Sequence, residues 1–172
     1  MVSRRTFLIW WVGGLAVFAI VIWLGLPLAI ADVPGGILDH QAAGTAANVN
    51  AIHAAWEAAG VFGTARTAMV GDLIFIGIYG IGSVLGGLYF RAAGSGLLRH
   101  LGTAVLLSAV VFLLTDYGET TAQFMQLSAN TGSDDLAGFA ATLRPIKVIA
   151  WIATFVGILT ALVVHRKQTR SG

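Results

Sequence analysis

The stretch Leu113-Leu114-Thr115-Asp116-Tyr117-Gly118-Glu119-Thr120-Thr121 places two acids in a run that otherwise reads as a hydrophobic helix still inside a bilayer. Positions 116 and 119 are three apart, so on a helix they share one face. An isolated Asp or Lys at mid-bilayer costs about 2.5 to 3.5 kcal/mol on insertion scales, and a carboxylate there needs a partner or a proton. A later hydrophobic run carries one cation that could serve, Lys147.

Composition sets the class. The 172 residues are 57% hydrophobic and only 10% charged, against about 25% charged in ordinary soluble domains. The fold expected is an all-α membrane protein with four transmembrane helices in a bundle. It forms a single domain over residues 1–172, because little chain is left over for a soluble one. The spans fall at about 7–30, 67–90, 103–127 and 137–164, each within reach of the roughly 17 to 25 residues a crossing needs. The absence of cysteine excludes disulfides, thiolate metal sites and thiol redox chemistry. The pI near 9.4 does not point to nucleic acid, since the basic residues sit in loops between apolar spans, where membrane topology accounts for them.

Arg4 and Arg5 precede the first apolar run, and Ala29-Ile30-Ala31 follows it. A secretory signal has a similar outline, but its apolar core is about 7 to 15 residues, so a retained first helix is expected. Trp10, Trp11 and Trp23 near its ends suit the two interfaces. Asp32-Val33-Pro34-Gly35-Gly36 breaks the helix. Beyond it Leu38, Ala42, Thr45, Val49, Ile52 and Trp56 recur every three or four residues, the stripe of an amphipathic helix over about 37–58 lying on the membrane surface. His40 and His53, thirteen residues apart, would stand some 20 Å apart along that helix. They are therefore read as solvated surface histidines rather than as a metal pair.

The second span carries Asp72, Ile76, Tyr79, Ser83 and Gly86 on one face, which must look into the bundle. Gly82 and Gly86 have the GxxxG spacing of close helix packing. In the last span, Ser133-Asp134-Asp135 reads as an N-terminal cap, and Pro145 predicts a kink or a break. Arg4, Arg5, Arg91, Arg99, Arg166, Lys167 and Arg170 gather on one side, against Arg66, Arg144 and Lys147 on the other. The first side is therefore cytoplasmic, with both termini inside and the amphipathic helix on the extracytoplasmic side of an inner membrane.

Depth along the spans then brings Asp72, Asp116, Glu119 and Lys147 into one outward layer, with Arg144 on the face of Lys147 and Tyr79 about 10 Å deeper. Three acids against one lysine leave a negative surplus, unless Arg144 joins or one acid keeps its proton. The leading expectation is an outward polar pocket for the head of a lipid or small amphiphile, with enzymatic use of the same acids left open. A proton relay is a third possibility. The alternative is an accessory or assembly subunit of a larger membrane complex, or a homo-oligomer, whose ion-pair network only fixes helix order. No metal site is expected, and no motif identifies a cofactor.

An interfacial helix ending in tryptophan (Ile52 to Trp56), Asp72 and Tyr79 on the second span, Asp116-x-x-Glu119 on the third and Lys147 on the fourth together resemble a group of uncharacterised small bacterial four-helix membrane proteins. The resemblance covers most of the chain and implies the architecture but no activity. Where many of those relatives have Asn after the Glu, this chain has Thr120.

Overall fold

The computed structural model describes residues 2–169, and among these it is all-α. The helices are α1 (Arg4–Gly25), α2 (Ile37–Gln41), α3 (Ala46–Ala58), α4 (Phe62–Ala93), α5 (Gly96–Ala129) and α6 (Asp134–Gln168), with a 3-10 turn at Leu26–Leu28. Among the described residues four helices are long and apolar enough to cross a membrane: α1 with the turn that follows it, α4, α5 and α6. Each carries large apolar side chains on its outer surface, such as Trp23, Ile74, Leu114 and Ile149. So much exposed apolar area is foreign to a water-soluble monomer and natural against acyl chains. Arg170, one of the residues assigned to the cytoplasmic side by charge, lies outside the described residues.

One expectation is corrected. The amphipathic stretch over 37–58 is two helices rather than one, because α2 stops at Gln41 and α3 starts at Ala46. Thr45 caps α3, its side chain accepting from the Asn48 backbone N–H at 3.3 Å. Such a cap satisfies one of the N–H groups that a helix start leaves open. The cap expected at Ser133 is present, with the Leu136 N–H donating to its hydroxyl at 3.4 Å. Pro145 sits inside an unbroken α6. Asn130, at φ 50°, ends α5 in the left-handed conformation, and the Thr131 N–H closes back on the Gln126 carbonyl at 3.1 Å.

The chain divides into two compact units. The first comprises Met1–Leu15, Ile76–Leu114 and Ile146–Gly172, and the second Ala16–Phe75 and Thr115–Pro145. In the first, glycine lets backbones touch: a Cβ at Gly82 would lie 2.5 Å from the Trp11 nitrogen, and one at Gly87 would lie 2.7 Å from the Leu106 nitrogen. The GxxxG pair is thus a seat for α1, with the Phe7 ring resting over Gly86. Rings fill the remaining space. Trp11, Phe155, Trp151, Tyr79 and Phe112 run in sequence with centroids 5.4 to 6.3 Å apart, the separations that aromatic pairs favour. The second unit packs Phe18 on Phe75, and Leu143 and Phe139 over Gly118. It also holds a core of Leu28, Val33, Trp56, Ala65, Ala68, Met69 and Leu127.

Gly82→Val should lower unfolding stability in detergent by about 1 to 3 kcal/mol or more, because the added methyls meet backbone that cannot swing away. Gly13→Ala, whose Cβ meets nothing within 4 Å, should be neutral or slightly stabilising. Thermal or denaturant unfolding followed by circular dichroism distinguishes the two.

Candidate functional site

The inner face of α5 in the second unit is polar over three turns. Asp116, Glu119 with its neighbour Thr120, Gln123 and Gln126 recur every three or four residues and are all buried, Asp116 at 3% exposure and Glu119 at 0%. At 1.5 Å per residue this strip is about 15 Å long. Every group on it was drawn away from water, so each must find a hydrogen bond in the protein or in a bound molecule.

Thr120 joins the acids. Its hydroxyl lies within donating distance of Asp72 Oδ2 on α4, at 3.2 Å, and of Asp116 Oδ1 one turn earlier, at 3.5 Å. A hydroxyl has one proton, so one donor is divided between two carboxylates. The helices are also tied by the Tyr117 hydroxyl, which donates to the Leu73 carbonyl at 3.3 Å. Glu119 Oε1 accepts from Gln123 Nε2 at 3.0 Å. That bond fixes which way the Gln123 amide faces, since reversing it would set oxygen against carboxylate oxygen. Gln123 Oε1 is then a buried acceptor with no hydrogen-bond donor, in a side chain 1% exposed. Gln126 differs: it donates to the Ala122 carbonyl and accepts from the Ser133 N–H at 3.0 Å, so it holds the turn into α6.

Of the residues expected to form the site, Asp72, Asp116, Glu119 and Arg144 belong to the second unit, and Tyr79 and Lys147 to the first. Asp72 and Asp116 are brought together through Thr120. Arg144 and Lys147 are half-buried, and Asp72, Asp116, Glu119 and Lys147 are each engaged by neighbouring groups. Tyr79 is fully buried in the aromatic core of the first unit, where Trp11 and Ser83 surround its hydroxyl. Arg66 has a defined duty: its guanidinium donates to the Leu127 carbonyl at 3.1 and 3.2 Å and to Ser128 at 3.4 Å. A cation there meets the open carbonyls and negative end of α5.

Two residues overturn their expectation. His40 and His53 are not solvated. Each is 2% exposed, and their Nε2 atoms are 3.1 Å apart in a hydrogen bond between stacked rings. The break between α2 and α3 folds the chain back and makes this possible. Trp56 packs on both rings and donates its Nε1–H to the Leu28 carbonyl at 3.0 Å. Burial lowers the His40 pKa to about 3, with His53 adding to the effect. Burial also lowers that of His53, and Arg66 lowers it further, against opposing contributions from Glu57 and Asn130. The pair is neutral at neutral pH. Among the described residues no three His, Asp or Glu side chains are grouped to hold a metal ion.

Sequence reasoning passed over Gln123 and took the two histidines for separate solvated ones. Gln123 was signalled by its place four residues after Glu119 on the same face, and the pair by Gly44-Thr45, a glycine stop followed by a capping residue.

Thr120→Val should destabilise the protein by about 1 to 3 kcal/mol, since it removes a hydroxyl that serves buried Asp116 and half-buried Asp72. Thr120→Ser should recover most of that loss. Unfolding of the three proteins in one detergent is the check.

No protein-family model, curated protein or solved structure matches this chain.

Proposed function

We propose that this protein is a multi-pass protein of an inner membrane that binds the polar head of a lipid-like or small amphiphilic ligand on its extracytoplasmic side, along the buried face of α5. The observation that carries this reading is Gln123 Oε1, an acceptor shut away from water without a donor, beside Glu119, Asp116 and Asp72. A buried acceptor left unserved costs about 1 to 3 kcal/mol, and a hydroxyl or amine of a bound molecule would offset that cost. The Gln123 amide oxygen accepts, so the ligand group that meets it donates.

The four apolar helices support the membrane setting. The sidedness, with both termini cytoplasmic, is inferred from the excess of Arg and Lys where α4 ends and α5 begins and at the two chain ends. The helix lengths leave room for a site of this kind. At 34 residues, α5 is about 51 Å long against a hydrocarbon core of about 30 Å, so its last third approaches an interface that a head group can reach.

Native mass spectrometry of protein extracted in mild detergent tests the reading. The wild type should carry a lipid-sized adduct. Asp116→Asn with Glu119→Gln should abolish it while the protein stays helical and monodisperse. Gln123→Leu should weaken retention roughly three- to tenfold, the worth of one neutral hydrogen bond. Adduct binding unchanged by the double substitution removes the proposal. Stoichiometric co-purification of another membrane protein with no lipid adduct would favour the accessory-subunit reading instead.

A further inference from the structure

The connection from α1 to α3 packs near the end of α5, on the face beside the polar strip just described. Leu28 and Val33 are buried in the cluster that includes Leu127, and Ile30, Ile37 and Phe124 border it. Phe124 and Leu127 are the α5 neighbours of Gln123 and Gln126. The connection thus covers the α5 face next to that end of the strip, and within the second unit side-chain bonds hold it down, among them Trp56 Nε1–H to the Leu28 carbonyl, Asn48 Nδ2 to the Ala43 carbonyl, and His40 to His53. The short α2 lies between Gly36 at φ 55° and Gly44 at φ 68°, positions where the backbone turns sharply on either side of a five-residue helix.

We propose that residues 26–45 are a lid over this end of the α5 face, that the His40–His53 hydrogen bond is its latch, and that acid opens it by protonating the two rings. A neutral pair shares one N–H between two Nε2 atoms. When both rings are charged, each Nε2 carries a hydrogen, so two donors face each other at 3.1 Å inside an apolar cluster. Both rings are nearly fully buried and packed against Trp56 and Phe62, so little solvent is at hand to soften this. The charged and polar groups around the latch come from several elements. On α2, Asp39 is occupied by the Gly35 N–H at 2.7 Å. On α3, Glu57 lies one turn beyond His53 and favours its protonation. From α4, Arg66 opposes it. From the end of α5, Asn130 donates to Glu57 and approaches His53, whose Nδ1 makes no hydrogen bond of ordinary geometry. On α6, Asp134 accepts from the Ala46 N–H at 2.7 Å. None of these places a carboxylate against the His40 ring.

The sign follows from linkage. With the lid open each histidine titrates near 6.5, and with it closed lower, His40 at about 3. The closed lid is at full strength above 6.5, and its advantage is lost as pH falls from there toward the closed value. That the lid controls entry of a ligand rests on the binding reading above, whereas its opening does not.

Amide hydrogen exchange on the full chain in nanodiscs without added ligand, corrected for intrinsic rates, tests the lid alone. Protection of peptides within 28–41 should be flat from pH 7.5 to 6.5. It should then fall about tenfold per pH unit through His40, reaching roughly a hundredfold by pH 4.5, or more as His53 contributes. Helix α5 should keep its protection. His40→Gln with His53→Gln, which preserves a hydrogen-bonded pair without titration, should abolish the pH dependence. Flat protection in the wild type, or the wild-type slope in the double variant, overturns the proposal. If the double variant does not fold, 15N shifts of the wild-type imidazoles decide: two neutral rings at pH 6 uphold the latch, and a charged ring there overturns it. Loss of the lipid adduct with an intact pH response would sink the binding reading and leave the lid standing.

Discussion

A carboxylate withdrawn from water must be hydrogen-bonded or neutralised, and the second unit is arranged around that requirement. Thr120 presents one proton to Asp72 and Asp116, and Gln123 turns its amide to Glu119. Neighbouring groups engage all three acids, as the requirement demands. A structural network serving only to fix helix order gains from closing every bond, since a half-satisfied polar core is worse than an apolar one. The Gln123 Oε1 acceptor, buried without a hydrogen-bond donor, departs from that logic, and the proposed ligand would supply its donor.

The first unit solves a different problem. Apolar helices in lipid gain little from hiding apolar side chains, because acyl tails are as apolar as leucine, so close contact has to supply the attraction. Gly82 and Gly87 bring backbones of α1 and α5 against α4, and the ring series from Trp11 to Phe112 interlocks what remains. Tyr79 belongs to this packing: its ring lies among Phe112 and Trp151, and its burial is as complete as that of the apolar residues around it.

Some of this architecture was legible in the residues. Hydropathy located the four spans, the Ser133 cap announced the α6 start, and the glycine spacing announced a close-packing face on α4, though not that α1 sits on it. The shared face of Asp116 and Glu119 marked the polar strip. Gln123 was less visible because a neutral amide in an apolar run carries no charge to draw attention, although its burial has the same demand for partners. Thr120 looked like a departure from a pattern, yet its hydroxyl is the donor that the two acids share.

By itself the sequence determined that the chain is four long helices with polar groups on defined faces. In hydrocarbon the backbone must satisfy its own hydrogen bonds, and side chains repeat every 3.6 residues whatever surrounds them. Which polar groups meet was decided only by the tertiary structure. His40 and His53 would stand about 20 Å apart on one straight helix, yet the turn at residues 42–45 brings their nitrogens to 3.1 Å. Contacts of this kind depend on where the chain reverses, a consequence of packing that no spacing along a single element contains.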